Sequence, residues 1–557
     1  MPAGGADQGP DPGGGARVTT VDDVHTRRRP RRLVVSTTVV LAGLLAACTD
    51  GDSGVTASAS QAIATASSDP ADPIDPAPDT TATTPDTTEP TGSSDTTEVP
   101  DTSPPTTDDQ PVGPDTGDGV GDELYPDLGN PGLDVQDYVV DIDYDPENVV
   151  IAGSVTMTVE FTQDRDEFTL DSSGPEVSRV TIDGDDVSFV ADDPELRVTP
   201  DEPIDAGDTH EVVVEYTAAP GGGSSLSGLP SGWFPTGRGS YVLNEPDGGR
   251  TWLPSNDHPS DKATWTFRVT VPAGQSAVAN GRLVGTTSDA SGDTWEWRED
   301  EPMPTYLVLL VTGPYEVIES STADGLELVS IALEDEVERV QPFIDGIGEQ
   351  IDFFDDLFGP YPFDRYGLAV IDSPPGLAME TQGRSFFSTS DLVSPGGYIE
   401  ELLLSHELTH MWFGDAVSPA RWIDIWLNES FATYGQWLWL EHLGLTTVES
   451  EASFALGNRQ GGSGDPTGTP TPQSMFSYNA YDGGAVVLQA LRLTIGDDAF
   501  FETLRSWVQD NLDTSRTTDD FIAHVEAVSG QQLDDFFQTW LYADILPVAL
   551  PDAVAAA

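Results

Sequence analysis

The sequence has little cysteine and little positive charge. Its 557 residues include one cysteine, Cys48, so no disulfide can form within the chain. Lysine and arginine number 23 against 96 aspartates and glutamates, which gives a formal net charge of −73. Because such an excess of negative charge repels phosphate groups, it argues against a nucleic-acid partner. The length is sufficient for two or three domains, each with its own core.

Long apolar runs are also scarce, and the one near the start of the chain is short. A basic stretch at 27–32 precedes an apolar segment at 33–47. This segment is shorter than the roughly 20 residues of a membrane-spanning helix, and small residues follow it, as in a secretory signal peptide. The tetrapeptide Leu-Ala-Ala-Cys at 45–48 resembles a bacterial lipobox. The resemblance implies cleavage before Cys48, a lipid on its sulfur and a location on the extracytoplasmic face of the cell membrane; the alternative is an ordinary signal peptide with an incidental cysteine.

Composition and periodicity divide the remaining chain. From 49 to 123 it is rich in Asp, Thr, Pro, Ser and Gly and has almost no large apolar residues, which predicts a disordered tether. Alternating apolar and polar residues between 138 and 271, broken by Asp and Gly, predict antiparallel sheets. Helical periodicity dominates after 319, with helices expected at 337–358, 399–413, 424–442, 482–495, 497–511, 518–529 and 533–542. We therefore expect a multidomain α+β chain with a signal peptide (1–48), a linker (49–123), a β domain (124–318), an α/β and then mostly helical domain (319–551) and a tail (552–557).

Two histidines one helical turn apart predict a metal site. His406 and His410 share a face if 399–413 is helical. Two imidazoles on one face can bind zinc, but the third ligand must come from another element. Glu429 in the next predicted helix can supply it, and Glu407 is placed as the general base for a metal-activated water. Because the flanking residues are apolar, these polar side chains need a partner, and we predict one zinc ion per chain.

Together with three further segments, this motif resembles the aminopeptidase N family of zinc metallopeptidases, over about 124–551. The resemblance implies a saddle-like antiparallel β domain followed by a thermolysin-like catalytic domain. It also implies peptide substrates with a free N-terminus and contact with the membrane through the lipid alone. The family's large helical C-terminal domain has no counterpart here, so we expect an active site that admits longer peptides.

The first of these segments is Leu-Ala-Met-Glu-Thr, which ends at Thr381. It resembles the family's Gly-Ala-Met-Glu-Asn strand, whose glutamate binds the α-ammonium group of the substrate. The resemblance implies this role for Glu380, with Ala378 and Met379 beside the substrate. Threonine replaces the asparagine that holds the substrate backbone.

The second segment runs from Asn-Glu-Pro at 244–246 to Lys262. It resembles the β-domain motif that supplies a second ammonium-binding glutamate, which implies this role for Glu245. Leu243 stands in place of the family's glutamine. His258 replaces a glutamate, and we expect it to form hydrogen bonds within a loop.

The third segment, Tyr-Asp-Gly-Gly-Ala, begins at Tyr481. It resembles Tyr-x-Lys-Gly-Ala, whose tyrosine donates its hydroxyl to the oxyanion. Gly483 replaces the lysine, and Tyr478 is the competing candidate.

We therefore expect a zinc-dependent aminopeptidase that acts outside the cytoplasm. One alternative is a thermolysin-type endopeptidase, in which Glu380 and Glu245 have other roles. Another is a catalytically inactive, peptide-binding surface lipoprotein.

Overall fold

The computed structural model describes residues 119–392, 396–461 and 464–554. The predicted signal peptide, Cys48, the linker up to 118 and the last three residues of the predicted tail lie outside these ranges. Within them, no helix is both long enough and apolar enough to cross a membrane.

The strands of the N-terminal part form because apolar residues alternate with polar ones. In Val150–Phe161, for example, Val155, Met157, Val159 and Phe161 are fully buried, while the residues between them are partly exposed. The strands are β1 (Leu133–Asp145), β2 (Val150–Phe161), β3 (Phe168–Asp171), β4 (Glu176–Ile182), β5 (Asp185–Asp186), β6 (Ser188–Asp192), β7 (Glu195–Thr199), β8 (Thr209–Ala218), β9 (Gly223–Ser224), β10 (Pro230–Pro235), β11 (Ser240–Leu243), β12 (Ala263–Val271), β13 (Ser276–Ala279), β14 (Arg282–Ser288), β15 (Asp293–Met303) and β16 (Leu310–Gly313).

These strands form sheets in the orders β14-β15-β12-β1-β2-β8-β4-β5, β13-β16-β11-β10-β9 and β3-β7-β6. The predicted β domain is confirmed, but the expectation of purely antiparallel sheets is wrong at one pair. β1 and β12 run parallel, with Val140 opposite Phe267. Alternation indicates a half-buried strand but not the direction of its neighbour. The long connection between β1 and β12 gives the chain the crossover that parallel pairing requires.

The second part combines a small sheet with helices. The sheet has the order β17-β18-β20-β22-β21, with β19 beside β18, and its first strand contains the predicted domain boundary at 318. The elements are β17 (Tyr315–Ser321), β18 (Glu327–Leu333), α1 (Val337–Phe358), β19 (Arg365–Tyr366), β20 (Leu368–Ile371), β21 (Ala378–Met379), β22 (Ser385–Ser388), α2 (Tyr398–Thr409), β23 (Val417–Pro419), α3 (Trp426–His442), α4 (Val448–Gly461), α5 (Gly484–Ile495), α6 (Asp497–Asn511), β24 (Thr514–Arg516), α7 (Thr518–Ser529) and α8 (Asp534–Trp540).

The helix predicted at 399–413 is shorter in the structure. α2 ends at Thr409 with His410 as its C-cap, and the chain then turns at Gly414, which has a φ of +133°. Helix α4 is absent from the helices predicted from the sequence. Its small apolar residues Ala452 and Ala455 are buried one turn apart, but its mixture of Gly, Ser and Glu obscured the helical stripe.

Candidate active site

Helices α2 and α3 bring the three predicted metal ligands together. His406 lies in the last turn of α2, His410 is the C-cap residue of that helix, and Glu429 projects from the first turn of α3. Oε2 of Glu429 lies 3.3 Å from Nε2 of His406 and 3.5 Å from Nε2 of His410. All three side chains are buried. The structure therefore joins two imidazole nitrogens and a carboxylate oxygen around one point.

The outer nitrogen of each imidazole already has a partner. Nδ1 of His410 donates to the carbonyl oxygen of Phe413 at 3.1 Å. Nδ1 of His406 lies 3.1 Å from Oε1 of Gln436. Both contacts leave Nε2 directed toward Glu429. This arrangement fits zinc, which accepts two imidazoles and a carboxylate and leaves a further position open for water.

Two additional carboxylates extend the cluster. Glu380 follows β21 and Glu245 follows β11. Ligand atoms of Glu245, Glu380 and Glu429 lie within 4.8 Å of one another, as do those of Glu380, Glu407 and His410. Oε1 of Glu245 and Oε1 of Glu380 are buried without a hydrogen-bond partner among the residues that the structure describes. The cluster therefore has more carboxylate oxygens than two histidines can neutralise.

The pKa directions reflect this excess of negative charge. Burial, followed by repulsion from Glu380, raises the pKa of Glu245 well above its ordinary value. Burial likewise raises the pKa of Glu380 and of Glu407, in each case against the opposing effect of His410. Burial opposes ionisation of Glu429 as well, but hydrogen bonds from the two histidines lower its pKa to about 2. Burial opposes protonation of His410, yet Glu380 and Glu429 raise its pKa to about 10. The site is therefore built to hold positive charge.

Tyr481 and Tyr478 point in different directions. Tyr481 lies in a π-helical turn, Asn479–Gly483, and its ring stacks on His406 with a centroid separation of 5.9 Å. Burial, followed by Glu429, raises the pKa of the Tyr481 hydroxyl. The hydroxyl of Tyr478 instead donates to the carbonyl oxygen of Ala455 in α4 at 3.3 Å. Of the two candidates, Tyr481 is the one that faces the metal ligands.

The other residues predicted from the sequence lie either next to Glu380 in the chain or in a loop of the β domain. Ala378 and Met379 form β21 beside Glu380. Thr381 donates its hydroxyl to the carbonyl oxygen of Arg384, so it stabilises its own turn. His258 is buried, with Nδ1 at 2.7 Å from Oγ of Ser260, as expected for a residue bonded within a loop.

Sequence reasoning missed two polar residues near the ligands. Gln436 follows Glu429 by two helical turns, so helical spacing could have identified it as a partner of His406. Asp415 is buried five residues after His410, and neither carboxylate oxygen has a hydrogen-bond partner among the described residues. Burial, followed by repulsion from Glu380, raises its pKa well above the ordinary value. The presence of an aspartate within this apolar stretch of the sequence could have identified Asp415 as a buried polar residue.

This fold and this ligand set define a two-part metallopeptidase, and comparison with known proteins gives the family. The chain matches the peptidase M1 N-terminal domain over residues 135–307 and the peptidase family M1 domain over residues 344–540. The two matches fall within the β domain and the helical domain expected from the sequence. The chain belongs to peptidase family M1.

Two structures from Deinococcus radiodurans are similar over the greater part of this chain. One is an M1 zinc metallopeptidase, with 32% identity, a TM-score of 0.70 and coverage of 78% of this chain and 99% of the other. A mutant of that enzyme bound to a Tyr-Ser-Ala substrate gives the same identity, TM-score and coverage.

Curated relatives are longer. Aminopeptidase N of Streptomyces lividans is 25% identical over 75% of this chain and 51% of its own length. Aminopeptidase M1-B of Oryza sativa is 27% identical over 54% of this chain and 36% of its own length. The chain thus spans about a third to a half of the length of these relatives.

Proposed function

We propose that the chain is a zinc-dependent aminopeptidase that hydrolyses the first peptide bond of peptides with a free N-terminus. One observation carries the proposal. Glu245 and Glu380 each have a buried carboxylate oxygen beside the metal ligands that accepts no hydrogen bond from any residue in the described part of the chain. Burying such oxygens is costly unless a cation neutralises them. An α-ammonium group is the cation that every free N-terminus places next to the first peptide bond, and an acetylated N-terminus has no such charge.

The residues fit the following chemistry. His406, His410 and Glu429 would hold the zinc ion, which when bound acidifies water and polarises a carbonyl. Glu407 takes a proton from the attacking water and passes it to the leaving amine. Tyr481 donates its hydroxyl to the oxygen that gains negative charge in the transition state. Glu245 and Glu380 bind the ammonium group, and this binding places the first peptide bond beside Glu407.

A pair of substrates tests the proposal. The zinc-loaded protein is given an aminoacyl fluorogenic amide and its N-acetylated counterpart, with and without a chelator. We expect cleavage of the free substrate alone, abolished by the chelator and restored by added zinc. Equal cleavage of the blocked substrate would support a thermolysin-type endopeptidase. No cleavage across a panel of N-terminal residues would support an inactive peptide-binding protein.

We further propose that the enzyme acts at the extracytoplasmic face of a bacterial membrane, held there by a lipid on Cys48. The basic stretch at 27–32, the apolar segment at 33–47 and the tetrapeptide ending at Cys48 support this location. The test is fractionation of cells that express the full chain or its Cys48→Ala variant. We expect the full chain in the membrane fraction and the variant in the soluble fraction; equal partition of the two would refute the anchor.

A further inference from the structure

Two side chains from the β domain hold the loop that follows α2. The hydroxyl of Tyr306 donates to the carbonyl oxygen of Gly414 at 3.0 Å. Nζ of Lys262 donates to the carbonyl oxygen of Asp415 at 2.7 Å and to that of Ala416 at 3.2 Å. Successive backbone carbonyls of the loop are thus bound by side chains that lie far away in sequence.

The same loop orients a predicted metal ligand. The carbonyl of Phe413, immediately before the bound carbonyls, accepts the hydrogen bond from Nδ1 of His410 at 3.1 Å. The backbone of Gly414 lies so close that an added Cβ would be 3.2 Å from this nitrogen. Any shift of the loop therefore moves the acceptor that fixes the rotation of the His410 ring.

Tyr306 also reaches the helix that carries the third ligand. Its hydroxyl accepts a hydrogen bond from Nδ2 of Asn428 at 3.2 Å, and Asn428 directly precedes Glu429. The ring of Tyr306 is fixed in turn by Trp422, with ring centroids 5.2 Å apart. One hydroxyl thus connects the loop after α2 to the first turn of α3.

Nζ of Lys262 donates its hydrogen bonds to backbone carbonyl oxygens. Among the residues that the structure describes, no carboxylate lies within ion-pair distance of Nζ. Burial lowers the pKa of Lys262 to about 8, against the opposing attraction of Asp513 and Asp415. An ammonium that is removed from bulk water needs acceptors, so its position is tied to that of the loop.

We propose that Lys262 and Tyr306 are positioning residues of the metal site. They lie outside the group that touches metal or substrate, but they hold the loop at 413–416 and Asn428 so that His410 and Glu429 keep their liganding geometry. The inference rests on the zinc site of the proposed function. It implies that the β domain, besides contributing Glu245, also governs how long the metal stays bound. Partners that orient metal-bound histidines are typically worth about 10- to 100-fold in metal affinity.

Zinc release measures this role without any peptide substrate. The full zinc-loaded chain and its Lys262→Met variant are mixed with a chromophoric chelator, and the rate of zinc transfer is recorded well below the melting temperature. We expect release at least about 10-fold faster from the variant. The matched control is Ser515→Ala. This variant removes another hydrogen bond to the β domain, from Oγ of Ser515 to the carbonyl oxygen of Pro259 (2.8 Å), and leaves the backbone pairing of β24 with β23 after the loop in place.

Tyr306→Phe is the second variant, and it removes only the hydroxyl. We expect faster zinc release here too, and a kcat that falls more than KM rises when activity is assayed with zinc in excess. The proposal is overturned if neither variant releases zinc faster than Ser515→Ala. If Lys262→Met does not fold, a release rate of Tyr306→Phe no higher than that of Ser515→Ala is sufficient to overturn it. A wild-type protein that binds zinc tightly but cleaves no peptide would refute the proposed function and leave this test intact.

Discussion

Gly435 of α3 packs directly against Thr409 of α2. A Cβ atom on Gly435 would lie 2.2 Å from Oγ1 of Thr409 and 2.7 Å from its Cγ2. Thr409 directly precedes His410, and Gly435 directly precedes Gln436. This contact fixes how closely the two helices that bear the metal ligands approach each other.

We expect Gly435→Ala to weaken zinc binding. The added methyl group must push α3 away from α2, because Thr409 is fully buried and cannot move aside. We expect zinc affinity to fall by about 10-fold or more, as for other losses of ligand positioning. Competition with a chelating dye measures it. Gly457→Ala in α4 is the control: a Cβ at that position meets nothing within 4 Å, so zinc affinity should not change. Equal affinity in both variants would show that the helices can separate without affecting the site.

Glu407→Gln should keep the metal but lose turnover. The amide matches the shape of the carboxylate, but it cannot accept a proton from water. General base catalysis typically contributes about 100- to 10,000-fold, and we expect kcat to fall within this range. Zinc content and kcat measured on the same sample check the prediction. Full activity with bound zinc would remove Glu407 from the mechanism.

The two tyrosines provide a matched pair. Tyr481→Phe removes a hydroxyl that faces the metal ligands, and one well-aimed donor is worth roughly 3 kcal/mol in the transition state, or about 100-fold in kcat. Tyr478→Phe removes a hydroxyl bonded to α4, so kcat should stay near the wild-type value. Steady-state kinetics of both variants decide between them. The reverse result would assign the oxyanion donor to Tyr478.

Glu380→Gln should reduce discrimination between free and blocked N-termini. Removing one partner of a buried charge pair costs about 2 kcal/mol or more, or roughly 30-fold. We expect kcat/KM to fall by at least this factor on a free aminoacyl amide, mainly through a higher KM. The N-acetylated amide should stay uncleaved, as in the wild-type protein. Glu245→Gln should act in the same direction. If kcat/KM is unchanged in both variants, the ammonium group binds elsewhere.

The β domain should lose stability as the pH rises. Burial is the first cause that raises the pKa of Asp171 to about 7, of Asp257 to about 6 and of Asp261 to about 8. Unfolded aspartates titrate near about pH 3.9. Because the folded pKa values are higher, the stabilisation is fully present below about pH 4 and is lost as the pH rises through 6 to 8.

Melting temperatures of the metal-free protein at about pH 5.5 and about pH 8.5 test this directly. Zinc is left out because its binding brings a pH dependence of its own. We expect the higher melting temperature at the lower pH and a smaller difference in Asp171→Asn. A melting temperature that rises with pH would contradict the prediction.

Much of the architecture follows from local patterns. The stripe Phe343, Ile347, Phe354 and Phe358 predicts the helix at 337–358, which ends where Gly359 adopts a φ of +94° before a proline. Alternation likewise predicts β2 and β8. Pairing direction was mispredicted for β1 and β12, because local alternation does not specify a neighbour that is distant in sequence.

The sequence by itself determined the chemistry of the site. Histidines one turn apart, a glutamate beside the first of them and a glutamate in the next helix predict the ligands and the base through residue type and helical spacing alone. Tertiary structure decided what spacing cannot encode: which tyrosine faces the ligands, which groups orient the imidazoles, and that Lys262 and Tyr306 reach across from the β domain. These relationships depend on the approach of elements far apart in the chain, and close packing of buried side chains, such as Gly435 on Thr409, fixes that approach.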